Sequence, residues 1–327
     1  MKHVLVIGQI HAAGLKILND HKGLSVAVIA DPGAGIPLAM VEDADAILIR
    51  YGVLSEAQIE HADRLCVVSR HGVGCDNLPM DKLSARGIPV TTVGPVNAIS
   101  VAEQTMAMML SLSKRVAQYD QAVRNGNWSI RDGLSISELA GKTLLLLGFG
   151  RIGREVARRA RAFAMDILIY DPFVSSAVAS AAGVVKVDDW RAVLGRVDVL
   201  SIHLPRIAET RNIVDAGVLS AMKPTAILIN TARGGLVDES ALYEALHTRM
   251  AAGGAGIDTF EIEPLNLDAP LLSLPNVVVS PHSAALTEEA ARRMGVVAAR
   301  NVIAGLEHRL DPELVFNREA LAESTTR

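Results

Sequence analysis

The chain has 327 residues, half of them apolar, and a formal net charge of -4 spread without a basic block or an acidic tail. That length exceeds one ordinary core and suits two domains of about 100 to 200 residues each, and the even charge implies neither nucleic acid nor an anionic membrane as a partner. Cys66 and Cys75 are the only cysteines, with no Cys-x-x-Cys and no His or Cys pair at metal-ligand spacing, so a reducing compartment is expected and no metal.

After Met1-Lys2-His3 the apolar run 4–7 is too short for the centre of a secretory leader. The most apolar helical segment, 99–112, is interrupted by Glu103 and Gln104 and falls short of a membrane span. A cytoplasmic protein acting on a small molecule is expected. Short apolar runs alternate with helical patterns almost throughout, the signature of an α/β fold with parallel sheets covered on both faces. A first unit is read with strands over 4–7, 25–29, 46–49, 66–69 and 90–91. Its opening segment resembles a strand and glycine loop, but Ile10 and Ala13 stand where the second and third glycines belong, so no dinucleotide is expected there. A long helix from Ala98 to about Arg124 follows. It is apolar on every side (Ala102, Met106, Ala107, Met108, Met109) and so is expected to be buried between domains or subunits. Residues 127–139 read as a surface crossover. The second unit is read with strands over 143–147, 167–170, 197–202, 226–229, 255–257 and 277–280. The last helical pattern, from Thr287 to about Gly305, is read as returning to the first unit. The domains are then 1–97 with 287–327, and 98–286.

Within the second unit a Leu-rich strand runs into Gly148-Phe149-Gly150-Arg151-Ile152-Gly153, a Gly-x-Gly-x-x-Gly loop before a helix. Gly148 permits the tight turn, Gly150 the approach of a pyrophosphate, and Gly153 close packing of helix on strand. Asp171 ends the next strand, eighteen residues beyond Gly153, where a carboxylate accepts hydrogen bonds from an adenosine ribose. It favours NAD over NADP, since Pro172-Phe173-Val174 brings no Arg or Lys to offset a ribose phosphate. Arg151 and Arg154 remain available to a phosphate, and a plain turn before Pro172 stays open as the structural alternative for Asp171.

Reduction of a 2-oxo acid needs a cation for the carboxylate, an acid for the carbonyl oxygen and a group that keeps the acid protonated. Three segments that follow strands supply these types: Asn230-Thr231-Ala232-Arg233-Gly234-Gly235, Asp258-Thr259-Phe260-Glu261-Ile262-Glu263-Pro264 and Ser280-Pro281-His282-Ser283-Ala284-Ala285. Arg233 has the fork that pairs a carboxylate in bidentate fashion.

These segments, with Ser69-Arg70-His71-Gly72-Val73-Gly74-Cys75-Asp76-Asn77, Asn97, Ser100-Val101-Ala102-Glu103, His203-Leu204-Pro205, Thr210 and Val237-Asp238, resemble the NAD-dependent D-2-hydroxyacid dehydrogenases, a family that includes 3-phosphoglycerate dehydrogenase and the hydroxypyruvate and glyoxylate reductases. The resemblance spans nearly the whole chain. It implies two Rossmann-like or flavodoxin-like parallel-sheet domains with a cleft between them, the discontinuous one for substrate and the other for NAD, usually in a homodimer. By the same resemblance Arg233 binds the substrate carboxylate, His282 exchanges the proton, and Glu263 rather than Glu261 pairs with His282. Val73 and Gly74 would hold the carboxylate by their backbone N–H groups, Arg50 would meet the far end of the substrate, and Arg70 and His71 would shape the pocket. Thr105, Gly148, Phe149, Gly150, Arg151, Ile152, Gly153, Asp171, Pro172, His203, Leu204, Pro205, Thr210, Thr231, Ala232, Asp258 and Ala284 would line the cofactor, with Asp258 near the carboxamide. Formate dehydrogenases carry Gln where Glu263 stands, which disfavours that branch. 3-Phosphoglycerate oxidation and hydroxypyruvate or glyoxylate reduction both stay open, as does a reading from another class, an NAD-sensing corepressor-like binding protein.

Overall fold

The computed structural model describes residues 1–133, 135–319 and 321. Parts of the expected crossover (Leu134) and of the expected terminal segment (Ala320 and 322–327) lie outside the described residues. Contacts divide the chain into one unit of Met1–Asn97 with Leu286–Arg327 and another of Ala98–Ala285.

In the first unit β1 (Lys2–Ile7), β2 (Leu24–Ile29), β3 (Ala46–Ile49), β4 (Val67–Arg70) and β5 (Val90–Thr91) form one sheet in the order β2-β1-β3-β4-β5, all parallel. Every residue of β3 is buried, as expected for a strand covered on both faces. The helix Glu288–Leu306 packs on β3, β4 and the helix Ala12–Asp20. The two helices meet where a Cβ on Gly14 would lie 2.6 Å from the Gly295 carbonyl oxygen, so their backbones touch. Beyond that helix, Asn317 accepts from the Val90 N–H at 2.9 Å and donates to the Ile88 carbonyl at 3.0 Å, which ties the segment around Asn317 to β5.

In the second unit β6 (Thr143–Leu147), β7 (Asp166–Tyr170), β8 (Val185–Lys186), β9 (Val199–Ile202), β10 (Ile227–Asn230), β11 (Gly254–Ile257) and β12 (Val277–Val279) run in the order β12-β11-β10-β9-β6-β7-β8, again all parallel. The order reverses between β6 and β9, the point of a doubly wound sheet outside whose carboxyl ends ligands bind. The sequence leads one to expect six strands here. The seventh, β8, is a two-residue edge strand too short to leave a periodic pattern.

The expected long helix is two. Ala98–Ser113 ends before Arg115, whose φ of +50° breaks the helical path, and Val116–Arg124 begins there with no buried residue. The break is held by the Arg115 guanidinium, which reaches Gln118 and the Ala252 carbonyl. Ala102, Met106, Met108 and Met109 pack with Leu144, Leu146 and Phe149 in the core of this second unit. The buried face of Ala98–Ser113 therefore covers the unit's own sheet, while Ile99 and Ala107 on its other side are exposed. Among the described residues no helix is long and apolar enough to cross a membrane.

Replacing Gly14 by Ala forces the two helices apart. The expected cost is about 1–3 kcal/mol, read as a lowered midpoint in denaturant unfolding, and an unchanged midpoint would show that the contact yields freely.

Candidate active site

β6 ends in Gly148 at φ +94°, where a Cβ would lie 2.5 Å from the His203 carbonyl oxygen; a Cβ on Gly153 would lie 2.3 Å from that of Gly148. Nothing lies within 4 Å of where a Cβ on Gly150 would stand. The helix Arg151–Ala162 that follows has no capping side chain and no acid in its first turn, so its unshared N–H groups and positive dipole end are offered to an anion. Asp171 accepts from the Phe149 and Phe173 N–H groups, each at 2.9 Å, which fixes its carboxylate beside this loop. The residues present thus fit a dinucleotide pyrophosphate and its ribose. Phe149 is buried with the Arg154 guanidinium 4.6 Å above its ring, Ile152 is half-buried, and Arg151 and Pro172 are exposed.

On the other side of the switch point, His203 follows β9 and shares a 2.9 Å hydrogen bond between its Nε2 and Ser201 Oγ. Burial pushes its imidazole down to about 3, so the ring is neutral, and its Nδ1 is buried without a partner among the described residues. Leu204 and Pro205 continue the strand end outward. Thr210 donates to the Pro205 carbonyl at 2.7 Å and receives the Ile207 N–H at 2.9 Å, closing that turn. Thr105 and Thr231 are buried and joined hydroxyl to hydroxyl at 2.9 Å.

Beyond β10 the Asn230 side chain spans its own loop, donating to the Arg233 carbonyl at 2.8 Å and accepting from the Ala232 N–H at 3.1 Å. The Arg233 Nη1 donates to the Ala232 carbonyl at 2.7 Å. A Cβ on Gly234 would lie 1.8 Å from the Phe260 carbonyl oxygen, so this loop rests on the backbone of the loop after β11. In that second loop the Glu263 Oε1 accepts from the Phe260 N–H at 2.9 Å while its Oε2 meets His282 Nδ1 at 2.8 Å. Burial raises the Glu263 carboxyl, but the bonds from His282 and Phe260 and the charge of Arg233 outweigh it and hold the group below its ordinary value.

His282 stands at φ +50°, a conformation that costs a non-glycine residue energy. Asp258 supports it. This buried carboxylate receives the Ser283 N–H at 2.9 Å, the Ala284 N–H at 3.0 Å and the Ser280 hydroxyl, and its own carbonyl receives the His282 N–H at 2.8 Å. Asp258 and Ala284, both expected along the cofactor, are buried at this turn, which the Asp258 oxygens support.

The first unit holds the remaining expected residues. Arg70 donates to the carbonyls of Gly74 at 2.9 Å, Ile49 and His71 at 3.2 Å, and Arg50, stapling the turn that contains Val73 and Gly74 onto the end of β3. Arg50 donates to the Gln9 carbonyl at 2.6 Å, and its guanidinium lies 5.4 Å from the Tyr51 ring centre. His71 is buried with neither ring nitrogen partnered among the described residues. Burial, then the charges of Arg50 and Arg70, drive its imidazole down to about 4, so it is neutral.

Two supporting groups escaped the reading of the sequence. Ser280 stands in the sequence as no more than the start of the Pro-His segment, although a hydroxyl two residues before the histidine is placed to cap a turn. Glu239 was not singled out, although it opens the helix Glu239–His247 directly after the N-cap Asp238; its Oε1 accepts the Glu261 N–H at 2.7 Å. Substituting Gly234 by Ala is expected to displace the loop that carries Glu263. The check is a loss of catalytic rate of about 10² or more with the fluorescence-measured affinity for NADH retained.

Residues 106–284 match the model of the D-isomer specific 2-hydroxyacid dehydrogenase NAD binding domain. The glyoxylate reductase of Korarchaeum cryptofilum is 36% identical over 323 residues, covering 97% of this chain and 96% of the relative. The D-3-phosphoglycerate dehydrogenase of Methanocaldococcus jannaschii is 38% identical over 92% of this chain, which spans only 57% of that relative's length. Among solved structures, the Aquifex aeolicus D-lactate dehydrogenase complexed with NAD and lactic acid is 29% identical, with a TM-score of 0.84 and coverage of 94% of this chain and 96% of that one. With its switch-point glycine loop and a family match over more than half its length, the chain belongs to the D-isomer specific 2-hydroxyacid dehydrogenase family.

Proposed function

We propose that the chain moves a hydride between NAD(H) and a D-2-hydroxy acid or the corresponding 2-oxo acid. The observation that carries this reading is the 2.8 Å bond from His282 Nδ1 to Glu263 Oε2, because it commits one ring nitrogen and leaves Nε2 to exchange the substrate proton. Bound NADH supplies the hydride to C2 of a 2-oxo acid, and NAD accepts it in the reverse direction. His282 gives the Nε2 proton to the carbonyl oxygen in reduction and takes the hydroxyl proton in oxidation. Ionised Glu263 fixes the ring and favours its charged form. Arg233 pairs with the carboxylate and polarises the carbonyl. The Val73 and Gly74 N–H groups add to the carboxylate site, and Arg50 and His71 take the non-reacting end. The other expected cofactor positions, from Thr105 to Ala284, line the dinucleotide.

NAD is preferred over NADP, because a phosphate on the ribose would meet the anchored Asp171 charge with no cation in the next three residues. A substrate resembling 3-phosphoglycerate is favoured by the Arg50 charge beside the neutral His71. Hydroxypyruvate or glyoxylate is the second reading, favoured by the relative that matches along its whole length. A homodimer is supported by the exposed apolar residues Val116, Val123 and Trp128, and a cytoplasmic setting by Cys66 and Cys75 being joined in no disulfide.

The test is a panel of 3-phosphoglycerate, hydroxypyruvate, glyoxylate and pyruvate with both nicotinamide cofactors. Turnover with NAD(H) is expected, and His282→Asn should lower it by about 10²–10⁴-fold while NADH binding persists. A variant within a few-fold of the parent would refute the proton-donor role. Tight NADH binding without turnover on any substrate would favour the corepressor-like reading.

A further inference from the structure

One peptide of the loop after β11 is gripped from two sides by the segment that begins at Arg233. Gly234 lies against the Phe260 carbonyl so closely that a Cβ there would stand 2.6 Å from the Glu261 nitrogen. Five residues on, Glu239 takes the Glu261 N–H at 2.7 Å. Between these contacts Leu236 and Val237 are buried, Val214 bridges Val237 in parallel, and Asp238 caps the helix by accepting from the Ala241 N–H at 2.9 Å. Glu239 thus hangs from an anchored segment and holds the backbone two residues before Glu263. From there Glu263 reaches His282.

We propose that Glu239 is a positioning residue for the Glu263 and His282 pair, acting by its bond to the Glu261 N–H and by its negative charge. The proposal rests on the reading of His282 as the proton-exchanging group. A carboxylate at the first position of a helix normally ionises easily. Here burial, then the charges of Glu261, Glu263 and Asp238, raise the Glu239 carboxyl above its ordinary value despite the bond from the Glu261 N–H. The cations nearby belong to other partners: Arg211 pairs with Glu261 at 2.8 Å, and His282 and Arg233 act on Glu263. Glu239 and Glu263 therefore work against each other as anions, and removing the charge of Glu239 makes Glu263 easier to ionise.

Two variants separate the bond from the charge. Glu239→Gln keeps an oxygen for the Glu261 N–H and loses the charge; Glu239→Ala loses both. With the best substrate of the panel, Glu239→Ala is expected to lose about tenfold or more in kcat with KM for NADH unchanged, and Glu239→Gln to restore most of it. In Glu239→Gln the acid limb of the rate profile moves to lower pH, and so does the 13C NMR titration of the Glu263 carboxyl. That titration needs no turnover, so it decides the proposal even if the parent enzyme reduces nothing in the panel, an outcome that counts against the hydride-transfer reading alone. An unmoved Glu263 titration in Glu239→Gln overturns the electrostatic part. Parental kcat in a folded Glu239→Ala, confirmed by its unfolding midpoint, overturns the positioning part.

Discussion

The geometry of the candidate site depends on one buried carboxylate. Asp258 stands at the end of β11 and is surrounded by donors from the turn after β12, the edge strand of the sheet. Hydrogen bonds to a charged acceptor are about twice as strong as neutral ones, and three of them converge here. They offset the cost of holding His282 at positive φ and deny the turn its freedom. A histidine carried on an edge loop would otherwise sample many orientations, and the proposed proton exchange tolerates few.

A second layer of support comes from the other loops at the carboxyl ends of the central strands. Asn230 shapes the turn that bears Arg233, the absence of a side chain at Gly234 lets that turn settle onto the neighbouring backbone, and Glu263 takes its bearings from the Phe260 N–H. The three chemical groups belong to segments far apart in the chain, yet each is placed by backbone contacts of its neighbours. The electrostatic balance follows: what burial Glu263 has would alone favour its neutral form, and its ionised state is owed first to His282, then to the Phe260 N–H and the charge of Arg233.

The parallel α/β architecture was legible because strands such as Thr143–Leu147 and Ala46–Ile49 are covered on both faces and so read as unbroken apolar runs. The glycine loop was legible because contact distances of 2.3 and 2.5 Å leave no room for another residue type. Illegible were features set by distant partners. Nothing near Arg115 warns of a helix break, since neither glycine nor proline stands there and the guanidinium finds its partner at Ala252. Asp258 carries no local sign that its oxygens are claimed by residues more than twenty positions away, and Glu239 looks like any acid in a first helical turn until Glu261 is brought to it.

The interrupted course of the first unit bears on how the chain folds as it emerges from the ribosome. The unit containing Ala98–Ala285 is contiguous and has all it needs for its own core once it has been synthesised. The first ninety-seven residues appear earlier but lack the helix that covers β3 and β4, which is made only after that unit. Domains generally fold as units during synthesis, so here the segment translated ahead of the contiguous unit is the one whose apolar sheet face waits longer for cover, a window in which chaperone binding would have the most to protect.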